Sequence, residues 1–345
     1  MDRILTYTEA LHEAADQEMA RDSSVIVMGQ GVDDFRGIYG TTKGLVDKFG
    51  PARVFDTPLS EEAVTGIGVG AALAGLRPIQ THIRMDFMLL AMNQIVNIAA
   101  KSSSMYGGQV HVPIVIRAVI GRSWGQGAQH SQGLHSLFMH VPGLRVVAPT
   151  IPYDAKGLLI QSIRDDNPVI FVEHRMLHSQ KGHVPAESYT IPFGKARVLA
   201  QGKDVTLVGI SHMALECQRA GVCLGEVGVE AEVIDPVSLS PLDMETITAS
   251  VRKTGRLVVV DSAWTCCGAS AEIITRVGEE LDGGFRFRRL GFAPVVCPTT
   301  KPLENLFYPD VARISKAAYV LVRGNDGWQP GHLPSPEIVQ FKGPF

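Results

Sequence analysis

No run of residues in this chain is long and apolar enough to span a bilayer. The opening stretch MDRILTYTEALHEAADQEMARD is patterned as an amphipathic helix and lacks the apolar centre of a secretion signal. Cysteine is scarce, with five in 345 residues, an odd count in which only Cys266 and Cys267 stand side by side. No pair has zinc-ligand spacing, so all five are expected as reduced, mostly buried thiols in a cytoplasmic protein. A net charge of −3 gives no reason to expect nucleic acid or an anionic membrane as partner. Phosphate-binding motifs are missing as well. VMGQGVDD offers Gly29 and Gly31 after an apolar run, but Asp34 stands where the dinucleotide fingerprint needs its third glycine. There is no Gly-Lys-Ser/Thr loop, and no Gly-Asp-Gly followed at a distance by Asn to hold a metal-bound diphosphate.

What is present is an alternation of β-branched apolar runs and helical patterns. SSVIVMGQGV, RPIQTHI, VPIVIRAVIG, LRVVAPT and PVIFVEH read as strands. DFMLLAMNQIVNIAAKSSSMYGG reads as one long helix stopped by Gly107 and Gly108, and PYDAKGLLIQSIRDDN as another helix. A second set follows, with DVTLVGIS, EAEVIDPVSL and RLVVVDSA as strands between three helices. Apolar strands alternating with helices indicate parallel sheets covered on both faces, hence an α/β fold of two doubly wound domains. Residues 1–180 form the first domain, 181–200 a linker, 201–322 the second domain and 323–345 a Pro/Gly-rich tail. Two readings of the tail stand side by side: a disordered end, or an arm anchored on a neighbouring subunit by Trp328 and Phe345.

Two segments carry candidate chemistry. In DTPLSEEAVTGIGVGAALAG, Thr57 is expected to cap a helix, Pro58 to take its first position, and Glu61 and Glu62 to complement the helix dipole. Adjacent helical residues point about 100° apart, so the two acids cannot share one environment. The glycines at 66, 68, 70 and 75 are costly in a helix and point to close approach by another backbone or a ligand. In GRSWGQGAQHSQGLHSLFMHVPG, a glycine-rich loop after a strand gathers Gln129, His130, Ser131 and His135. Such loops sit where parallel sheets bind ligands, although a solvated or locally bonded histidine is the plainer reading of any one of them.

Taken together and in order, TKGLVDKFGPARVFDTPLSEEAVTGIGVGAALAGLRPI, NQIVNIAAK, GAQHSQ, PGLRVVAPT, DAKGLLIQSIRDDNPVIFVEH and VIDPVSLSPLD resemble the β subunits of thiamin-diphosphate-dependent 2-oxo acid dehydrogenases. The resemblance covers roughly residues 3–322. It implies a transketolase-like pyrimidine-binding domain followed by a transketolase C-terminal domain. It also implies an α2β2 assembly whose α subunit carries the diphosphate cradle and its magnesium, with an acyltransferase core among the partners used by such enzymes. By the same resemblance Glu61 is the acid that shares a proton with a ring nitrogen of the aminopyrimidine and thereby activates the cofactor. Leu59 and Phe87 match cofactor-contacting positions, with a core phenylalanine as the plainer reading of Phe87. His130 matches a histidine close to the substrate, placed to stabilise a developing oxyanion or to guide acyl transfer. Ile114, Ser162, Ile163, Asp165 and Asn167 match a potassium site built mostly from backbone carbonyls; Asp165 and Asn167 equally suit a turn ahead of Pro168.

The chain departs from the family pattern in places. Gln30 stands where glutamate is usual, which puts an acidic relay between active sites in doubt. Arg84, Leu90, Leu137, Arg122 and Trp124 also differ, and a cation at Arg84 or Arg122 would favour an anionic substrate. Two rival readings follow: the C-terminal half of a split transketolase acting on sugar phosphates, and a non-catalytic assembly subunit of the same fold.

Overall fold

The computed structural model describes residues 3–34, 36–121 and 125–334. The chain forms two compact units, one made of Met1–Ile120 and Leu137–Phe193, the other of Gly121–Ser136 and Gly194–Phe345.

The first unit is built on six parallel strands: β1 (Val25–Gly29), β2 (Val54–Asp56), β3 (Arg77–His82), β4 (Val115–Ile120), β5 (Arg145–Val147) and β6 (Val169–His174), in the spatial order β2-β1-β3-β4-β6-β5. β1, β4 and β6 are buried along their whole length, which is why they read as unbroken apolar runs rather than as alternating ones. The helix Tyr7–Arg21 starts at a capping box, in which Glu9 N–H donates to Thr6 Oγ1 (3.1 Å) and Thr6 N–H to Glu9 Oε2 (2.7 Å). It is tied to the helix Pro152–Arg164 by two ion pairs with buried members, Lys156–Glu13 (2.7 Å) and Arg164–Glu18 (2.5 Å).

The stretch expected as one long helix is instead three kinds of turn in series. It winds tightly as a 3-10 helix over Met85–Ala91, widens to a π-helix over Asn93–Ala99, and is α-helical over Ala100–Met105. Apolar periodicity sets which side of a helix is buried but not how tightly each turn winds, and π turns recur at functional sites. Residues 181–200 carry a strand near each end. Lys181–His183 pairs antiparallel with Ile4–Thr6, and β7 (Arg197–Ala200) joins the second sheet.

The second unit continues with β8 (Val205–Gly209), β9 (Ala231–Asp235), β10 (Arg256–Trp264) and β11 (Arg286–Phe292), in the order β11-β10-β8-β9-β7. Only the edge strand β7 is antiparallel. The helices His212–Gly225 and Val311–Arg323 pack on one another and on this sheet. The described part of the tail folds back onto its own unit. Trp328 packs on Tyr319 with ring centroids 4.9 Å apart and planes tilted by 35°, and the His332 carbonyl accepts a contact from Cys223 Sγ at 3.7 Å. Phe345, the other expected anchor, lies outside the described residues, as do Arg122 and Trp124. Among the described residues no helix is long and apolar enough to cross a membrane.

Candidate active site

In the first sheet the chain passes from β1 to β2 on one side and then to β3 on the other. The gap between β1 and β3 at their carboxyl ends is therefore a topological switch point, where open α/β sheets bind ligands. Three polar side chains meet there. Gln30 directly follows β1, Glu61 opens the helix Glu61–Leu73 after β2, and His82 closes β3. Gln30 Nε2 donates to Glu61 Oε1 at 3.2 Å. One turn along the helix, Thr65 Oγ1 accepts from Gln80 Nε2 at 2.8 Å, and His82 Nε2 lies 3.1 Å from that amide and 3.4 Å from the Thr65 hydroxyl. Burial pushes the His82 imidazole down to about 4, against the opposing pull of the Glu61 charge, so at neutral pH the ring is uncharged.

The helix begins later than expected. Ser60 occupies the cap position without a side-chain cap bond, and Thr57 and Pro58 precede it in a bend where Ser60 N–H donates to the Pro58 carbonyl (2.9 Å). Proline at 58 thus shapes the approach to the helix rather than its first turn. Glu61 is half-buried and Glu62 exposed, the separation that adjacent helical positions require. Of the helix glycines, Gly68 answers to packing. A Cβ there would stand 2.9 Å from Gln80 Oε1, so its absence lets the glutamine of β3 come up against the helix. Gly70 has open space around it.

Phe87 is half-buried in the 3-10 stretch that packs on the Glu61 helix, and Leu59 stands out at 82 % exposure. Arg84, expected to offer a cation to an anionic substrate, is buried and pairs with Asp86 at 3.4 Å. Burial, with the Arg175 charge adding to it, lowers the Arg84 guanidinium from its ordinary value. Deeper in the sheet, Arg117 and Glu173 form a bidentate pair at 2.5 and 2.9 Å, both fully buried. Burial works to raise the Glu173 carboxyl, but Arg117 and His178 hold it down at about 2.

The potassium candidates fall around the end of the helix Pro152–Arg164. The Ile163 and Asp165 carbonyls accept from Arg77 Nη1 at 3.0 and 3.1 Å, while Ile114 O accepts from Val169 N–H at 2.9 Å. Ser162 Oγ donates to Leu158 O at 2.7 Å. Asp165 Oδ1 accepts from both the backbone and side-chain nitrogens of Asn167 at 2.8 Å, which makes the turn before Pro168.

His130 belongs to the second unit and is half-buried in its loop. The loop is seated on that unit at several points. His135 Nε2 is hydrogen-bonded to Asp261 Oδ2 at 2.9 Å with both side chains buried. A Cβ on Gly133 would fall 2.0 Å from the Ser262 carbonyl, so only glycine allows this seating.

Two family descriptions match the chain: the pyrimidine-binding domain of transketolase over residues 4–180 and the transketolase C-terminal domain over residues 194–314. The β subunit of acetoin:2,6-dichlorophenolindophenol oxidoreductase of Cupriavidus necator is 44% identical over 340 residues, covering 94% of this chain and 99% of the relative. This chain is a β subunit of the thiamin-diphosphate-dependent 2-oxo acid dehydrogenase family. Other β subunits are similarly close. That of the Bacillus subtilis acetoin enzyme is 39% identical over 330 residues, covering 91% of this chain and 96% of the relative. The mitochondrial pyruvate dehydrogenase E1 β-1 subunit of Oryza sativa is 44% identical over 322 residues, covering 91% and 86%. A solved split-gene transketolase, described as an inactive beta4 tetramer, superposes with a TM-score of 0.76 at 20% identity, over 92% of this β subunit and 99% of that chain. At that identity the likeness is one of fold.

Proposed function

We propose that this β subunit supplies Glu61 to an active site that it shares with an α subunit in an α2β2 assembly, where a 2-oxo acid is decarboxylated. The α subunit holds the diphosphate and magnesium end of the cofactor, for which this sequence has no motif of its own. The observation that carries the reading is the position of Glu61. It is a half-buried carboxylate at the switch point of the first sheet, oriented by the Gln30 amide. A carboxylate with one oxygen engaged by a neutral donor and partly sheltered from water suits hydrogen bonding to a basic ring nitrogen. Phe87 on the adjoining 3-10 stretch suits the flat face of such a ring, and the exposed Leu59 awaits either cofactor or partner.

Thiamin diphosphate, when bound, supplies the carbon nucleophile and the electron sink that decarboxylation needs. Glu61 holds and returns the proton at the pyrimidine nitrogen, and His130 donates to oxygen as negative charge develops on the substrate. In the reconstituted assembly, Glu61→Gln is expected to lower turnover about 10³-fold with the melting temperature unchanged, and His130→Ala to lower turnover more than cofactor affinity. Near wild-type turnover in Glu61→Gln would end the proposal.

A monovalent cation belongs to the same reading. It would sit among the carbonyls around Ile163 and Asp165 and share them with Arg77. Replacing potassium by a large organic cation then lowers the melting temperature of the assembly; an unchanged value removes the site.

A further inference from the structure

Three of the five cysteines, Cys217, Cys223 and Cys297, are buried, as small apolar side chains usually are. Cys266 and Cys267 are both exposed. They form the centre of the turn between β10 and the helix Ala269–Glu280, in which Gly268 N–H reaches the Thr265 carbonyl at 3.4 Å. Cys267 has φ +51°, a left-handed conformation that costs a residue with a Cβ about 1–2 kcal/mol. Arg289 Nη1 holds the Thr265 carbonyl from the other side at 2.8 Å. Neither sulfur contributes to a core, and the backbone is strained where the second one stands. Strain of this kind, at a position that packing does not require, directs attention to the reactivity of the group placed there.

Two adjacent sulfurs are poorly placed for a direct bond. Consecutive Cα atoms lie about 3.8 Å apart, below the roughly 4.4–6.8 Å that a disulfide spans. An atom inserted between the sulfurs lengthens the bridge and relieves that mismatch. Zinc is a poor candidate, because it requires about four ligands and no group of three or more His, Cys, Asp or Glu side chains among the described residues is placed to hold a metal ion. We propose that Cys266 and Cys267 form a surface dithiol site for thiophilic centres satisfied by two sulfurs, of which a monosubstituted trivalent arsenical is the representative ligand. The step is balanced without an oxidant. Each thiol gives up its proton, two As–S bonds form, and the arsenic-bound oxygen leaves as water.

The test uses phenylarsine oxide on the full chain assembled with its α subunit. One phenylarsenic group is expected per β chain, mapped by mass spectrometry to the peptide holding both cysteines. It should protect both thiols from iodoacetamide and be removed by a dithiol far more readily than by glutathione. Cys266→Ser and Cys267→Ser should each weaken binding on the order of a hundredfold, the loss expected when a two-point attachment becomes one-point. Their melting temperatures serve as the folding control, since the turn is exposed. Equal binding by either serine variant, removal by glutathione as fast as by a dithiol, or continued alkylation of both thiols in the presence of the arsenical would each overturn the proposal. So would an assembled complex that takes up no reagent while the isolated chain does.

Discussion

The two units share one order among their first three parallel strands and use it differently. In each, the first parallel strand of the sheet has the second on one side and the third on the other, so each has a crevice at the carboxyl ends of its first and third parallel strands. In the first unit that crevice carries Gln30, Glu61 and His82, which are bonded to one another or to neutral partners and keep a half-buried carboxylate available. In the second unit the corresponding place is filled. A Cβ on Gly209 at the end of β8 would lie 2.5 Å from the Ala214 Cα, so the first turn of the following helix sits directly on the strand end. Asp235 at the end of β9 accepts from the Val237 backbone N–H at 2.9 Å, and Asp261 is occupied by His135. Topology thus provides a place for a ligand, and the side chains decide whether the place is kept open or closed by structure.

The contrast can be strained from either side. The largest structural effect is expected from Glu173→Ala in the first unit. Removing the partner of the fully buried Arg117 leaves an uncompensated charge and should cost about 3–5 kcal/mol, read as a lowered urea midpoint. His82→Leu comes next, through pH. His82 has its folded pKa depressed to about 4 from an ordinary 6.5, so as the pH falls through that window the unfolded chain takes up a proton that the folded chain refuses. Stability due to this group is complete above 6.5 and is lost towards 4, by at most about 3 kcal/mol. The leucine variant should show a flatter stability profile between those values, and an unchanged slope would place the acid sensitivity elsewhere. The smallest effect is expected in the second unit. Gly209→Ala should destabilise by about 1–3 kcal/mol as the helix start is pushed from the strand, while leaving the turnover of the folded assembly intact. A loss of turnover without loss of stability would show that the second crevice also serves chemistry.

Much of this was legible before any coordinates. β1, β4 and β6 are buried on both faces, so their apolar runs stand out. β11 does not, because its Arg-Phe-Arg-Arg stretch is largely exposed, and β2 is too short to show a period. The place of Glu61 at the start of a helix is legible from the pattern around it. That of His82 is not, since a histidine ending an otherwise ordinary strand has no local mark, and its partner Thr65 lies on another element. Asp261 could not be linked to the histidine loop from spacing, because it lies 126 residues beyond His135. The helix starts a few residues later than the sequence pattern predicts, since Pro58 suits both a first turn and the bend ahead of one. The two cysteines are adjacent in the sequence, but their exposure depends on the turn that carries them.

The detour of Gly121–Ser136 has a practical corollary for anyone dissecting this molecule. Because the chain leaves the first unit and comes back to it, no single cut yields two self-sufficient halves. A fragment ending at Phe193 would retain His130 but lose Asp261 and Ser262, on which its loop rests. A circularly rearranged or loop-bridged version, rather than a simple truncation, is the form in which the first unit could be studied alone.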